Sequence, residues 1–517
     1  MNKPLKISLI IVVILVILYI TLKFGAEWYI GSKLTEKINK DNQLFQVNVE
    51  NTRVNVFSRE VNLYDIVFTP VDSNSSSIEG TLQSLSLGSF DISNFLFNEI
   101  IESEAIILKQ PKLNVNLEKS DNKEKEKNKS SKGLFSQNIF EKIKVHRILL
   151  QEANVDFSGS LNSNLQLRSF SLQNIVVDSA SMAGKVPFNY DSVIVKIDSL
   201  SLQPDSQYKL STGKINLAQH QLEIDEFSFD PQFTKSEYSS RFPERKPMYD
   251  VYIKKIIFDS LYWQLPGGHP MNFTVGNIDM DSLNLQMYID KNVPRNADKI
   301  RPMPSKALAD ASFLLNINSI NTTNSKFLYQ IQPKDAANTG DLFFTNLKMN
   351  ATNITNDSSI LADNPEARFD FDAKFMGAGN LKAVFTFNLA SNDYPFSASG
   401  NLAPVNFAAL DPLIGPLMSL EANGNLNNLT YNFSGNQESA GGTVDMAYQN
   451  MQLIFKEKPG ESAPILKALS SLVLENNLKR DNSSNADVSF NKEDTRSFFY
   501  YWWSGIRGGI KDIVLPL

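Results

Sequence analysis

The sequence predicts a mostly β protein with one N-terminal transmembrane helix, a long run of amphipathic strands and short C-terminal helices. Three observations predict it: one uncharged apolar stretch near the start, hundreds of residues of alternating apolar and polar side chains, and a helical period that is clear only near the end. The 517 residues are too many for one compact core, so we expect several domains or an elongated one.

The apolar stretch occupies residues 7–22 and lies between Lys6 and Lys23. At about 1.5 Å per helical residue it is slightly short for a bilayer core of about 30 Å, and lysines at both ends can reach the interfaces. A cleaved signal peptide is the competing interpretation, but no small-x-small cleavage site follows. We predict a retained anchor over residues 1–24. The basic tail favours a cytoplasmic N-terminus, although lysines after the anchor weaken this asymmetry.

Trp28 and Tyr29 follow the anchor, where amphipathic rings favour the headgroup layer, so they are candidate membrane-interface residues. A helical period continues over residues 28–40, and strand-like alternation begins at Phe45.

The composition excludes several chemistries. Cysteine is absent and histidine occurs three times, far apart, which leaves little material for a thiolate or histidine metal site or a catalytic triad. A net charge of -6 argues against nucleic-acid binding.

One spacing recurs along the predicted strands: an apolar pair separated by one residue, a gap of two residues, then a second such pair. The clearest examples are Leu165, Leu167, Phe170 and Leu172; Val195, Ile197, Leu200 and Leu202; Leu222, Ile224, Phe227 and Phe229; and Ile278, Met280, Leu283 and Leu285. Strict alternation would turn the second pair to the other face. A β-bulge would return all four to one face and bend the strand. A tight turn, or a strand buried on both faces, would also explain the gap.

Three segments, at 145–157, 253–265 and 315–329, each resemble a hairpin of two short strands around a polar turn. Residues 369–389 predict a further hairpin around Gly377 and Gly379. Residues 119–132 carry mixed charge and no apolar side chain, which predicts a solvated, disordered loop.

Catalytic and cofactor motifs are not found: the sequence has no Walker loop, dinucleotide fingerprint, HExxH or GxSxG. Asp279 and Asp281 suggest a metal pair, but they occupy polar positions of an alternating strand, which favours a solvated face. We therefore predict no enzyme activity, no cofactor and no metal.

Beyond residue 40, helical signals are found only in the C-terminal part. Residues 407–420 predict a short helix interrupted by prolines, and residues 464–478 predict an amphipathic helix. The final stretch carries a run of aromatic residues beside Arg496, Arg507 and Lys511. This composition is typical of an interfacial membrane segment, with Phe499, Trp502 and Trp503 as candidates, but it also fits a cap over the last open strand.

The apolar faces of these strands need a partner, and few helices are predicted to cover them. The strands either pack as tandem sandwiches or fold into a groove filled by something else, such as acyl chains. Periodicity does not distinguish the two. The candidate groove-lining residues are Leu165, Leu167, Phe170, Leu172, Val195, Ile197, Leu222, Ile224, Ile278, Met280, Leu283, Leu285, Phe385 and Phe387.

The chain resembles AsmA-like proteins of the bacterial envelope, the group that includes AsmA and TamB relatives. The resemblance rests on the single anchor, residues 82–96 (LQSLSLGSFDISNFL), 106–115 (IILKQPKLNV), 420–435 (LEANGNLNNLTYNFSG) and 441–453 (GGTVDMAYQNMQL). It covers both ends of the chain well and the middle only in style. It implies an elongated, curled antiparallel β-groove in the periplasm that moves phospholipid between inner and outer membranes, supports outer-membrane homeostasis and has no catalytic residues.

We accordingly expect an inner-membrane, single-pass protein with phospholipid as its ligand. The outer membrane, or a protein in it, is a candidate partner. The expected segments are the anchor at 1–24, an N-terminal β region at 25–118, a charged loop at 119–133, a β-groove at 134–455 whose AsmA-like C-terminal part begins at about 400, and a helix with an aromatic tail at 456–517. The alternative is a non-enzymatic structural or assembly factor for outer-membrane or surface proteins, built from tandem β-sandwiches.

Overall fold

The protein is mostly β, and its strands belong to one large mixed sheet with a few short helices. The computed structural model describes residues 27, 29, 31–32, 35–36, 38–40, 45–55, 57–71, 77–98, 100–117, 142–159, 162–177, 191–264, 271–455, 472–473 and 485–514. The predicted anchor at 1–24 and most of the charged loop at 119–133 lie outside these residues. None of the helices within them has the length and apolar character needed to span a bilayer.

The first strands of the chain are β1 (Phe45–Asn55), β2 (Glu60–Pro70), β3 (Ser77–Gly88), β4 (Ile100–Leu117), β5 (Lys142–Gly159), β6 (Asn162–Val177), β7 (Ser192–Gln203), β8 (Tyr208–Thr212), β9 (Ile215–Ala218), β10 (Gln221–Pro231), β11 (Met248–Asp259) and β12 (Tyr262–Gln264). They continue with β13 (Asn272–Asp290), β14 (Leu314–Gln332), β15 (Gly340–Thr355), β16 (Glu366–Phe375), β17 (Gly379–Asn388), β18 (Phe396–Ala403), β19 (Val405–Asn406), β20 (Leu420–Gly435), β21 (Ser439–Phe455), β22 (Leu472–Val473) and β23 (Asn485–Asn491). The helices are α1 (Ile92–Asn98), α2 (Lys235–Ser240), α3 (Pro304–Ala309), α4 (Ser358–Leu361), the 3-10 turn η1 (Phe407–Leu410), α5 (Asp411–Met418) and α6 (Phe498–Val514).

The chain divides into two compact units. Unit 1 comprises Met1–Asp205 and Leu210–Leu222, and unit 2 comprises Ser206–Lys209 and Glu223–Leu517. This division falls inside the segment 134–455 that the sequence predicts as one groove. In unit 1, β1 to β4 pair antiparallel in order, β4 pairs parallel with β5, and β5, β6 and β7 are again antiparallel.

Unit 2 repeats this arrangement. Strand β11 is antiparallel to β13, β13 is parallel to β14, and β14 to β18 run antiparallel in order before β20, β21 and β23. The expectation of a purely antiparallel sheet is therefore wrong at β4–β5 and β13–β14. Parallel neighbours need a crossover of a dozen or more residues, which segments 118–141 and 291–313 are long enough to provide.

The pairing between the strands of unit 1 is interrupted at the same level in several neighbouring strands. Asp65, Gln110 and Glu152 adopt the left-handed conformation, with φ of 54°, 50° and 53°. The registers of β2–β3 and β3–β4 skip one position there, the register of β4–β5 skips two, and all three then resume unchanged. Because neighbouring strands carry the extra residue at the same level, pairing is kept while each strand bends.

In unit 2, left-handed residues also occur at the gap within the predicted apolar patterns. Glu226 and Ser282, with φ of 52° and 58°, stand immediately before the second apolar pair of β10 and β13. Asn324 of β14, with φ of 52°, has the same conformation. The bulge interpretation is confirmed in these strands, and the turn interpretation is wrong there.

Two of the three predicted hairpins are wrong for this reason. Residues 145–157 and 315–329 lie within the single strands β5 and β14, and the polar break is the bulge at Glu152 or Asn324. The third, 253–265, is also wrong: β11 and β12 both pair antiparallel with β13, so they run in the same direction and do not form a hairpin. The predicted hairpin at 369–389 is confirmed as β16 and β17, with φ of 70° at Gly377.

The helix predictions have mixed outcomes. The described positions between 27 and 40 are mostly helical, and the segment seals the edge of β1, since the Asn39 amide accepts from Val47 N at 2.6 Å and donates to its carbonyl at 2.8 Å. Helix α5 confirms the prediction at 407–420, with Pro416 inside it. The prediction at 464–478 is wrong at Leu472 and Val473, which form β22 against β21, and its other residues lie outside the described ones.

Candidate functional site

The apolar side chains of β5, β6 and β7 form continuous rows on one face of unit 1. Leu167 and Phe170, three residues apart on β6, pair with Ile197 and Val195, two apart on β7. Residues two apart on a strand share a face, so the shift in register between the strands keeps all four on one side. The rows, from β5 through β6 to β7, are Val155, Leu165 and Leu200; Ala153, Leu167 and Ile197; Leu150, Phe170 and Val195; and Ile148, Leu172 and Val193.

This face is partly buried. Leu167 is 5% exposed, whereas Leu165, Phe170, Val195 and Ile197 are only partly buried. Within the part of the chain that the structure describes, no cluster of buried apolar residues includes a residue of β6 or β7. The apolar rows are therefore formed by pairing between strands and are not enclosed in a packed core.

A second apolar face lies on β11 and β13 in unit 2. Phe258 pairs with Ile278, Ile256 with Met280, Ile253 with Leu283 and Val251 with Leu285. Ile253, Ile256 and Ile278 are buried, and Ile224, Met280 and Leu283 pack partly buried beside them. Leu285 is half-buried. Leu222, the last residue of unit 1, is also half-buried.

Polar side chains of β13 and β14 bond to one another between the apolar positions. Asn321 donates to Asp279 Oδ1 at 2.9 Å, and Asn324 donates to Asp281 Oδ1 at 2.9 Å. The Asn324 hydrogen bond holds the pKa of Asp281 below its usual range. Among the described residues no group of three or more His, Asp or Glu is placed to hold a metal ion. The two carboxylates thus belong to a polar ladder, as their spacing predicts.

Phe385 and Phe387 do not share the partly buried character of the other candidates. They are 6% and 5% exposed and lie in the largest core of unit 2. The Phe385 ring lies 5.4 Å from Trp502, and the Phe387 ring lies 5.0 Å from Phe498, both on α6. Their prediction as lining of an open groove is corrected here, because an amphipathic helix covers them.

Helix α6 closes the core through a face of aromatic and glycine residues. Phe498, Tyr501, Gly505 and Gly509 are all buried. A Cβ at Gly509 would overlap Val444 of β21, so glycine is needed for this close approach. Burial raises the pKa of the Tyr501 hydroxyl, which therefore stays neutral. Helix α6 thus covers a face of the sheet at β21 and β23; the predicted cap over the edge of the last strand stays a prediction.

The opposite side of α6 leaves aromatic rings in solvent. Phe499 is 61% exposed and Trp503 is 44% exposed, while Trp502 is half-buried. Tyr29, the other described candidate for the membrane interface, is 41% exposed, and Trp28 lies outside the described residues. Phe499 and Trp503 are four residues apart, so their rings are neighbours on one side of the helix.

A group of cations lies near the start of α6. The Arg245 guanidinium donates to the carbonyls of Lys291 and Val293, both at 3.0 Å. Burial lowers the pKa of Arg245, and Arg496 and Arg295 lower it further by repulsion, against the opposing effects of Tyr329 and Asp290. The pKa of Lys291 falls for the same reasons, burial first and then Arg245 and Arg496. An anionic group placed among these cations would relieve their repulsion.

Sequence reasoning missed the half of each apolar face that comes from a neighbouring strand. Ile148 and Leu150 on β5 were not recognised because residues 145–157 were interpreted as a hairpin. Ile253 and Ile256 on β11 were missed because residues 253–265 were also interpreted as a hairpin. The alternation of these residues could have identified them, because apolar and polar residues alternate on both sides of the polar break in each strand. No protein-family model matches the chain, and no curated protein sequence matches it either.

Proposed function

We propose that this chain is a non-enzymatic lipid-binding protein that carries phospholipid between inner and outer membranes and so supports outer-membrane homeostasis. The observation that carries the proposal is the partly buried apolar face on β5, β6 and β7. The resemblance to AsmA-like proteins supports the same role.

Acyl chains suit such a face on physical grounds. Burying each methylene contributes about 0.8 kcal/mol and requires no directional partner. Rows of Leu, Ile, Val and Phe provide apolar contact at every position, so they bind any part of an acyl chain equally well.

A crosslinking experiment in cells tests the lipid contact. A photoreactive residue at Ile197 should capture phospholipid in the full-length protein, and the same residue at the adjacent, exposed Lys196 should not. Leu285 and Asn284 form a second matched pair on β13. Equal capture at both members of a pair would refute the proposal.

A charged substitution tests passage along the face. Ile197→Asp should reduce phospholipid transfer between vesicles, because a carboxylate on the apolar row must be desolvated by each passing chain. Lys196→Asp introduces the same group on the polar side and should leave transfer unchanged. The rows are not enclosed in a packed core, so we expect Ile197→Asp to fold.

The proposed location is the inner membrane, with a single pass and the bulk of the chain in the periplasm. The apolar stretch at 7–22 and the basic tail before it support this topology. Reporter fusions at Lys129 should be active only for the periplasmic reporter. A cytoplasmic signal, or a mature N-terminus near Glu27, would overturn the topology without affecting the lipid contact.

A structural or assembly role for outer-membrane or surface proteins is the second candidate. The exposed rings of Phe499 and Trp503 favour it, since aromatic residues are enriched in protein interfaces. The two roles differ in what a photoreactive residue at Trp503 captures. A protein adduct there, together with no lipid at Ile197, would favour assembly over transport.

A further inference from the structure

A pocket of about 160 Å³ lies in unit 2 between α3 and the strands β15, β16 and β17. Its apolar lining includes Leu308, Ile354, Phe369, Phe387 and Leu389. The Phe369 and Phe387 rings meet edge to face at 5.8 Å, which fixes one side of it. The pocket lies beside the largest core of unit 2 and shares no lining residue with the apolar rows on β5, β6 and β7.

Ser305 is the one side chain with a hydrogen-bonding group in this lining. It is 3% exposed, and its hydroxyl has no hydrogen-bond partner. A buried hydroxyl without a partner costs folding free energy, so native structures rarely retain one without a reason. The serine is positioned by its backbone: Pro304 begins α3, and the Asn356 amide donates to the carbonyls of Leu308 at 3.3 Å and Phe313 at 2.8 Å.

We propose that this pocket binds an uncharged apolar group of about six carbons that carries one oxygen, either a hydroxyl or an ester carbonyl, bonded to Ser305 Oγ. The size is that of an apolar cavity that holds benzene, which is on the order of 150 Å³. No charged side chain lines the pocket, so a carboxylate or an ammonium would be buried without a counter-charge. The chemistry therefore selects a neutral alcohol or ester over a fatty acid anion.

Photolabelling of the full-length protein in lipid nanodiscs tests this assignment. The probe is a six-carbon alcohol that carries a diazirine, with the corresponding hydrocarbon as its matched partner. Labelled peptides should contain α3, β16 or β17, and labelling by the alcohol should saturate and be displaced by hexan-1-ol. Labelling that does not saturate would overturn the proposal.

Ser305→Ala separates the hydroxyl contact from the apolar one. It should weaken the apparent affinity for the alcohol probe by about 2- to 10-fold and leave the affinity for the hydrocarbon unchanged. It should also leave the melting temperature of the unliganded protein unchanged or raised, because an unpaired hydroxyl is removed. Equal affinity of wild type and Ser305→Ala for the alcohol, or a lower melting temperature, would contradict the assignment. Ser312→Ala, at an exposed position, is the control.

Ala367→Leu tests the site by filling it. Ala367 lines the pocket and is 2% exposed, so added bulk must occupy the same space. Labelling by both probes should be lost. Unchanged labelling in a folded Ala367→Leu protein would show that the probes bind elsewhere and would overturn the proposal. If this variant does not fold, Ser305→Ala decides alone.

Discussion

The strands β16 and β17 and the strands β5 to β7 carry the same alternation of apolar residues but end in different environments. Phe385 of β17 is enclosed by Phe371 and by rings of α6, whereas Phe170 of β6 is only partly buried. The difference lies in what covers the sheet, because the apolar residues of both regions are aligned by strand pairing, although β5 to β7 pair with interruptions and β16 and β17 without. Alternation along a strand thus defines its apolar face and leaves open whether the chain itself covers it.

Truncating one phenylalanine in each region should give the largest contrast. Phe385→Ala should lower the local free energy of unfolding by about 3–5 kcal/mol, because it leaves a cavity in a packed core. Phe170→Ala should cost only about 1 kcal/mol, because part of the ring is already in water. Hydrogen exchange of the β17 and β6 amides in the full-length protein measures both. Similar costs would mean that β5 to β7 are covered as tightly as the core under α6.

The fit of α6 on its core should respond next most strongly. Gly509→Ala should destabilise α6 by about 1–3 kcal/mol, because the new methyl overlaps Val444, which is fully buried. Gly508→Ala is the matched variant: nothing lies within 4 Å of its Cβ, so it should stabilise the helix by about 0.5–1 kcal/mol. Exchange of the α6 amides distinguishes the two. A stabilising Gly509→Ala would show that the helix does not pack closely on β21.

The bends in unit 1 should respond less. Glu152→Val should destabilise β5 by about 1–2 kcal/mol, since a β-branched residue is strained at a φ of 53°. Glu152→Asn loses the same hydrogen bond from Gln110, at 2.6 Å, but tolerates this conformation. The difference between the two variants therefore measures backbone strain. If valine and asparagine cost the same, the left-handed residue is not what stabilises the bend.

Much of the fold was predictable because it depends on local period. The β class and the hairpin at 369–389 follow from apolar spacing and from glycine at a turn, and the spacing at Glu226 and Ser282 offered a bulge as one of its interpretations. The parallel pairs were not predictable, because their register joins β4 to β5 and β13 to β14 across long connections. The hairpin interpretation of β5 failed because a polar break indicates a bulge and a turn equally well.

The candidate site was predictable only in part for a related reason. The rows on β6 and β7 were identified from their own sequence, but Phe385 was assigned to the same role because it also lies on the apolar side of an alternating strand. Only the position of α6, more than a hundred residues later, separates them. The pocket beside Ser305 had no signal in the sequence, since it depends on where a six-residue helix rests on three strands.

The smallest effect on stability should come from the exposed rings of α6. The double variant Phe499→Ser, Trp503→Ser should lower the free energy of unfolding by only about 1 kcal/mol, because Phe499 is 61% exposed and Trp503 is 44% exposed. Tyr501→Ser, on the buried side of the same helix, is the control and should cost several times more. If the tail meets a membrane or a partner, the double variant should lose lipid transfer between vesicles while α6 stays protected from hydrogen exchange. Full transfer by a stably folded double variant would show that α6 only covers the core of unit 2. The exposed rings would then have no part in lipid transfer.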